Sequence, residues 1–180
     1  MKLIKGKNSN RGFTLTELIV VMGLSLMVLT LMVTMLTIFT AKVDQNKAYH
    51  GFYDEVAMCR DEIQEFLSIV DAKGATVKVE SNTADGSILS VGSDPNKKMI
   101  KLHGKEFFVK LDTPLKKTYL DYIDRIEYDV ITVANGRILQ CTFIGSYGKD
   151  DTNKGTHKTE FSQSMLFILE SDGATFNLVP

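Results

Sequence analysis

The chain has 180 residues, a formal net charge of −1, no Trp and three Pro. That length holds one domain with an added element. Residues 1–12 carry Lys2, Lys5, Lys7 and Arg11 and no acid, leaving 17 basic against 22 acidic residues, a balance of −5 that argues against a general polyanion binder such as a nucleic-acid protein.

After the basic start comes RGFTLTELIVVMG, residues 11–23, in which Glu17 sits five residues after Gly12. From Leu18 to Ala41 there are 24 consecutive uncharged residues. As a helix this span reaches roughly 36 Å, enough for a bilayer. The basic residues precede it, so the positive-inside rule puts residues 1–12 in the cytoplasm and the carboxy-terminal part outside. The apolar stretch exceeds the roughly 7–15 residues of a secretory signal core, and TIFTAKV offers no good small-x-small cleavage site. A plain signal anchor fits the length and leaves Glu17 unexplained. A charged side chain at the centre of a membrane helix costs roughly 2.5–3.5 kcal/mol. Thr14-Leu15-Thr16-Glu17 also fits the capping box S/T-x-x-E, so the carboxylate has a second role at the start of a helix.

The order of basic leader, Gly12, Phe13 and Glu17 before a long apolar run resembles the prepilin signal of type IV pilins and type II secretion pseudopilins. The resemblance implies that a membrane prepilin peptidase cuts between Gly12 and Phe13, and that the new amino terminus on Phe13 is N-methylated. It implies other pilins or pseudopilins, an inner-membrane assembly platform and the lipid bilayer as further partners. In an assembly, Glu17 of one copy could pair with the amine on Phe13 of a neighbour, which would offset part of the burial cost of each charge. The four basic residues of the leader would crowd that site.

No proline occurs between Phe13 and Val70, so one helix of roughly 87 Å is expected over that span. Thr16, Val20, Gly23, Met27, Thr30, Thr34, Thr37 and Ala41 recur every three or four residues. Such a stripe either packs against a neighbouring helix in lipid or bonds its hydroxyls back to its own helix. Beyond the span, Tyr49, Phe52, Val56, Cys59, Ile63, Phe66 and Val70 form one apolar stripe. Asp54, Glu55, Arg60, Asp61, Glu62 and Glu65 lie mostly off it. Gly74 is a natural carboxy-terminal cap.

Residues 75–80, 87–91, 99–103 and 106–111 are candidate strands, and 118–122 is an unassigned connector. Residues 124–133 and 138–145 read as a hairpin across Ala134-Asn135-Gly136-Arg137. Residues 160–170 and 174–179 read as another across Ser171-Asp172-Gly173. Alternation groups Ile126, Tyr128 and Val130, then Leu139, Cys141 and Phe143, then Met165, Phe167 and Leu169, each set expected on the Phe52–Val70 stripe. The expected fold class is α+β, a long amino-terminal helix packed on an antiparallel sheet, the pilin fold. The expected organisation is a removed leader over 1–12, a transmembrane or filament-core helix over 13–41, an amphipathic continuation over 42–73 and an extracytoplasmic β-rich domain over 74–180.

The stretch 75–123 and the later hairpins resemble a minor pilin or minor pseudopilin more than a major subunit. The run IEYDVITVANGRILQ is similar to a tyrosine-containing hairpin of the minor pseudopilin J and competence-pilin group. The terminal cysteine pair of many Gram-negative pilins is missing.

Cys59 and Cys141 are either a helix-to-sheet disulfide or two buried free thiols. His50, His103 and His157 are widely separated, and no metal site is expected from them. The loop GSYGKDDTNKGTHKT, residues 145–159, holds Asp150, Asp151 and Asn153 without EF-hand order. Lys97, Lys98, Lys101 and Lys105 read as a solvated strand face. No nucleophile elbow, P-loop, dinucleotide fingerprint or zincin motif is present. The chain reads as a substrate of enzymes, with no cofactor and no catalytic residue of its own. The competing reading is a single-span, membrane-anchored extracytoplasmic binding domain that prepilin peptidase does not process.

Overall fold

The computed structural model describes residues 14–83, 86–91, 98–111, 114–131, 138–148, 158–170 and 174–179, with the side chains of 82, 83 and 179 excepted. It consists of one long helix followed by two mostly antiparallel sheets, a pilin-like α+β arrangement. Helix α1 runs Leu15–Asp71 without interruption. The chain divides into two compact units, Met1–Asp44 and Gln45–Pro180.

In the first unit, every described residue from Thr14 to Lys42 is exposed. The segment is helical and apolar, yet it buries nothing within the chain. Its hydroxyls are satisfied locally: Ser25, Thr30 and Thr34 donate to the carbonyls of Val21, Leu26 and Thr30, each at 2.8 Å. Thr37 and Thr40 donate one turn back, to Thr34 and Thr37. Back-bonding of this kind removes the cost of a hydroxyl in an apolar medium.

In the second unit α1 becomes amphipathic, as its spacing predicts. Phe52, Val56, Cys59, Ile63, Phe66 and Val70 are at most 1% exposed, joined by Ala48 and Leu67. Tyr49 departs from the expected stripe and stays 45% exposed. It lies at the end of the core, where its ring meets Phe161 edge-on at 5.7 Å. Burying each large apolar side chain contributes about 1.5–3 kcal/mol. The helix ends in a Schellman motif: Ala75 N–H donates to Val70 O and Gly74 N–H to Asp71 O. Gly74 takes the φ of 57° that this cap requires.

Among the described residues nine strands follow: β1 Thr76–Thr83, β2 Gly86–Val91, β3 Met99–His103, β4 Glu106–Lys110, β5 Lys116–Tyr119, β6 Ile123–Ile131, β7 Ile138–Tyr147, β8 Thr159–Ile168 and β9 Thr175–Val179. The first sheet has the order β5-β4-β3-β2-β1-β9, and the second has β6-β7-β8. Residues 118–119 of the unassigned connector thus belong to a strand, β5, which begins at Lys116. Alternation works as expected: Ile126, Leu139, Cys141 and Phe143 are fully buried, with Tyr128, Phe167 and Leu169 nearly so. They share one core with α1 and with Val77, Leu89 and Ile100 of the first sheet.

One expected pairing is corrected. The strands around 171–173 do not form a hairpin: β8 pairs with β7, and β9 pairs in parallel with β1. Ala174 and Phe176 are buried in this arrangement, and Thr76 and Thr175 hydroxyls meet at 3.1 Å. A strand goes to the edge that buries its apolar face, and a turn sequence alone does not decide which edge that is. The tip Ala134-Asn135-Gly136-Arg137 and the turn Ser171-Asp172-Gly173 lie outside the described residues.

The two sheets are tied by side chains. Ser87 Oγ donates to Ile126 O, and Tyr128 N–H donates to Ser81 Oγ at 3.0 Å. Lys105 Nζ donates to Asp121 O at 2.9 Å, Ile123 O at 3.1 Å and Asp124 Oδ1 at 2.7 Å. Ser146 Oγ donates to the other oxygen of Asp124 at 2.6 Å.

Candidate functional site at the start of the helix

Glu17 is the acidic residue of the first turn of α1. Thr14 N–H and the Thr14 hydroxyl both donate to Glu17 Oε2 at 2.9 Å. Glu17 N–H donates back to Thr14 Oγ1 at 3.3 Å. This is the reciprocal capping box that the T-x-x-E spacing predicts, and it satisfies donors that a helix start leaves open. Both bonds to the carboxylate fall on Oε2, so Glu17 Oε1 accepts none among the described residues.

Downstream of Glu17, α1 is long and apolar enough to cross a membrane, with a mean hydropathy of 2.5 over its most apolar window. None of that window is buried. A water-soluble helix rarely presents an apolar surface of this extent without a partner.

Residues 7–33 match the family model described as the prokaryotic N-terminal methylation motif. The match takes in Lys7 and Arg11 of the basic leader, Gly12, Phe13, Glu17 and the first part of the apolar run. It supports a precursor of the type IV pilin or pseudopilin kind, with a pilin-like signal at its amino terminus. No curated protein and no solved structure matches the chain.

The other sequence candidates are spread out. Lys2, Lys5, Lys7, Arg11, Gly12 and Phe13 lie outside the described residues, as do Lys97, Asp150, Asp151, Asn153 and His157. His50 and His103 are both exposed, on α1 and β3. Lys105 is engaged in the network with Asp124. Cys59 and Cys141 are free thiols, both buried, and burial pushes both thiols well up. Tyr128, the cross-strand partner of Cys141, has its hydroxyl buried with no hydrogen-bond partner among the described residues. Burial pushes that hydroxyl up too, helped by the two neighbouring thiols.

Glu55 is a structural anchor that the sequence pattern does not reveal. Its carboxylate accepts three consecutive backbone N–H groups, from Asp121 at 2.6 Å and from Tyr122 and Ile123 at 3.0 Å. Its partners lie more than sixty residues away, beyond the reach of any local signal.

Proposed function

We infer that this chain is the precursor of a structural subunit, of the minor class, in a type IV pilus or pseudopilus. The observation that carries the reading is the methylation motif over residues 7–33, set on a helix whose apolar half is wholly exposed. Prepilin peptidase cuts between Gly12 and Phe13 on the cytoplasmic side, and Phe13 receives a methyl group on its new amine. The apolar half of α1 holds the precursor in the bilayer with the β-rich part outside. On assembly the same surface packs against helices of other pilins or pseudopilins, drawn from the membrane through an inner-membrane assembly platform.

The chemistry of Glu17 supports this order of events. Before cleavage, the leader precedes Phe13 through an ordinary peptide bond, and Glu17 caps its own helix. Cleavage creates an ammonium at Phe13, one residue before Thr14. The unengaged Oε1 of Glu17 then accepts that amine, from its own chain or from a neighbour in the filament. A pair formed in a dry, apolar setting is strong only when both charges are present. This makes removal of the leader a licence for assembly.

The experiment is intact-mass measurement of the native chain. A chain that starts at Phe13 and carries one extra methyl group is expected, and Gly12→Val should hold it at precursor length. A native chain that keeps Met1 and the basic leader would instead identify an anchored binding domain and end this reading.

A further inference from the structure

The geometry points to a sheet-edge contact between copies of this chain, in which β8 of one copy pairs with β5 of the next. The two sheets face one another near β6, which packs beside β1, β2 and β9. The outward edges are therefore β5 and β8. Sheet edges carry unpaired N–H and C=O groups and are normally blunted by charge, proline, bulges or shortness. β6 has a bulge between Ile123 and Arg125, and β9 has five residues. β8 has no proline, bulge or shortness, and its one charged residue, Glu160, stands at its start. It runs ten residues in unbroken register with β7, and no charge occurs from Phe161 to Leu169. Leu166 and Ile168, at 59% and 66% exposed, are the two most exposed aliphatic side chains among the described residues of the second unit. Beside this edge a groove of about 680 Å³ opens toward α1, with Leu67, Met165 and Leu169 among its apolar lining and Asp71 and Glu170 at one end.

The occupant follows from complementarity. β5 is the other outward edge, four residues long, blunted by Lys116 and Lys117 against a partner strand that offers no carboxylate from Phe161 to Ile168, and ending on the aromatic Tyr119. Tyr119 is 65% exposed, as is Leu115 just ahead of it at 51%. An antiparallel approach that sets Tyr119 opposite Leu166 sets Lys117 opposite Ile168, and it brings Lys117 diagonal to Glu170. All four side chains of those two pairs lie on the outer faces of their sheets, so the pleat continues across the junction. Within one copy Lys117 pairs with Glu106 at 2.6 Å and stays half-exposed, so it can bridge to a second carboxylate. The contact uses different surfaces on the two copies. It is therefore head-to-tail, the kind of contact that forms either a ring or an open row of copies. It does not depend on processing of the amino terminus.

The test is site-directed cross-linking of the full-length chain. Tyr119→Cys and Leu166→Cys versions, differently tagged, are reconstituted together in phosphatidylethanolamine–phosphatidylglycerol vesicles and oxidised with copper phenanthroline. Directly opposed strand positions have close Cβ atoms, so a mixed disulfide dimer is expected at about tenfold the yield of either version alone. Lys117→Glu in the Tyr119→Cys partner should lower that yield several-fold. Thr118→Cys with Leu166→Cys, which point to opposite faces, should stay at background. Lys117→Cys with Ile168→Cys gives an independent pair, should either first variant lower the thermal midpoint. Absence of mixed dimers from both pairs overturns the proposal. Equal yield from Leu166→Cys alone also overturns it, because β8 would then be pairing with itself.

Discussion

Glu55 lies off the apolar stripe of α1, among the acids expected in solvent, yet it holds the chain where it enters β6. Three N–H groups converge on its two oxygens, and hydrogen bonds to a charged acceptor contribute more than neutral ones. Glu55→Ala should lower unfolding stability by about 2–3 kcal/mol, read from the urea midpoint at neutral pH. Glu55→Gln, which keeps one carbonyl acceptor, should fall between. Asp124 supplies a second residue-scale expectation. Burial by itself would push its carboxyl up, but hydrogen bonds from Lys105 and Ser146 and the charges of Lys105 and Lys158 outweigh it and hold it below the usual range. Its stabilising contribution is thus complete above the ordinary value of about 3.9 and is lost as pH falls through the lower folded value. Asp124→Asn should cost about 1 kcal/mol at pH 7, a figure reduced for its partial exposure, and the cost should shrink once both proteins are acidified below that range. Chemical denaturation across a pH series measures the difference.

At the scale of elements, the legible and illegible parts separate by the range of the interactions. The second half of α1 was legible because six of its seven stripe positions obey a 3.6-residue period set by burial alone. Strand faces were legible for the same reason, with a period of two. The pairing of β9 with β1 was not legible, since it depends on which edge remained open after the other strands had formed. The close approach of β7 to the β6 entry was equally hidden. At Gly145 an added Cβ would lie 2.1 Å from the Tyr122 carbonyl oxygen and 2.8 Å from the Phe52 ring. A backbone oxygen cannot swing aside as a side-chain tip can. Gly145→Ala should therefore destabilise by about 1–3 kcal/mol through overpacking, visible as a lower thermal midpoint.

Across the whole molecule, the decisive signal occupies a small part of the chain. Glu17, its capping box with Thr14 and the exposed apolar helix behind it could all be read from residue order, because each depends on neighbours within one or two helical turns. What the second unit recognises could not be read that way. Its surfaces are assembled from strands distant in sequence, as the β5 and β8 edges illustrate. If the pairing of Glu17 with a mature amine is correct, Glu17→Ala should be cut and methylated normally, while its yield in sheared filaments falls about tenfold or more. Immunoblotting of the filament fraction against the membrane fraction makes the comparison. Wild-type incorporation would leave Glu17 as a helix cap alone.

The two sulfurs sealed between α1 and β7 give the chain a chemical clock. Iodoacetamide attacks thiolates, and burial both shields Cys59 and Cys141 and disfavours their thiolates. The half-time of alkylation thus times how often the helix parts from the second sheet. That breathing rate could be followed by the mass that each alkylated thiol gains, in the membrane or in any assembly that contains the chain.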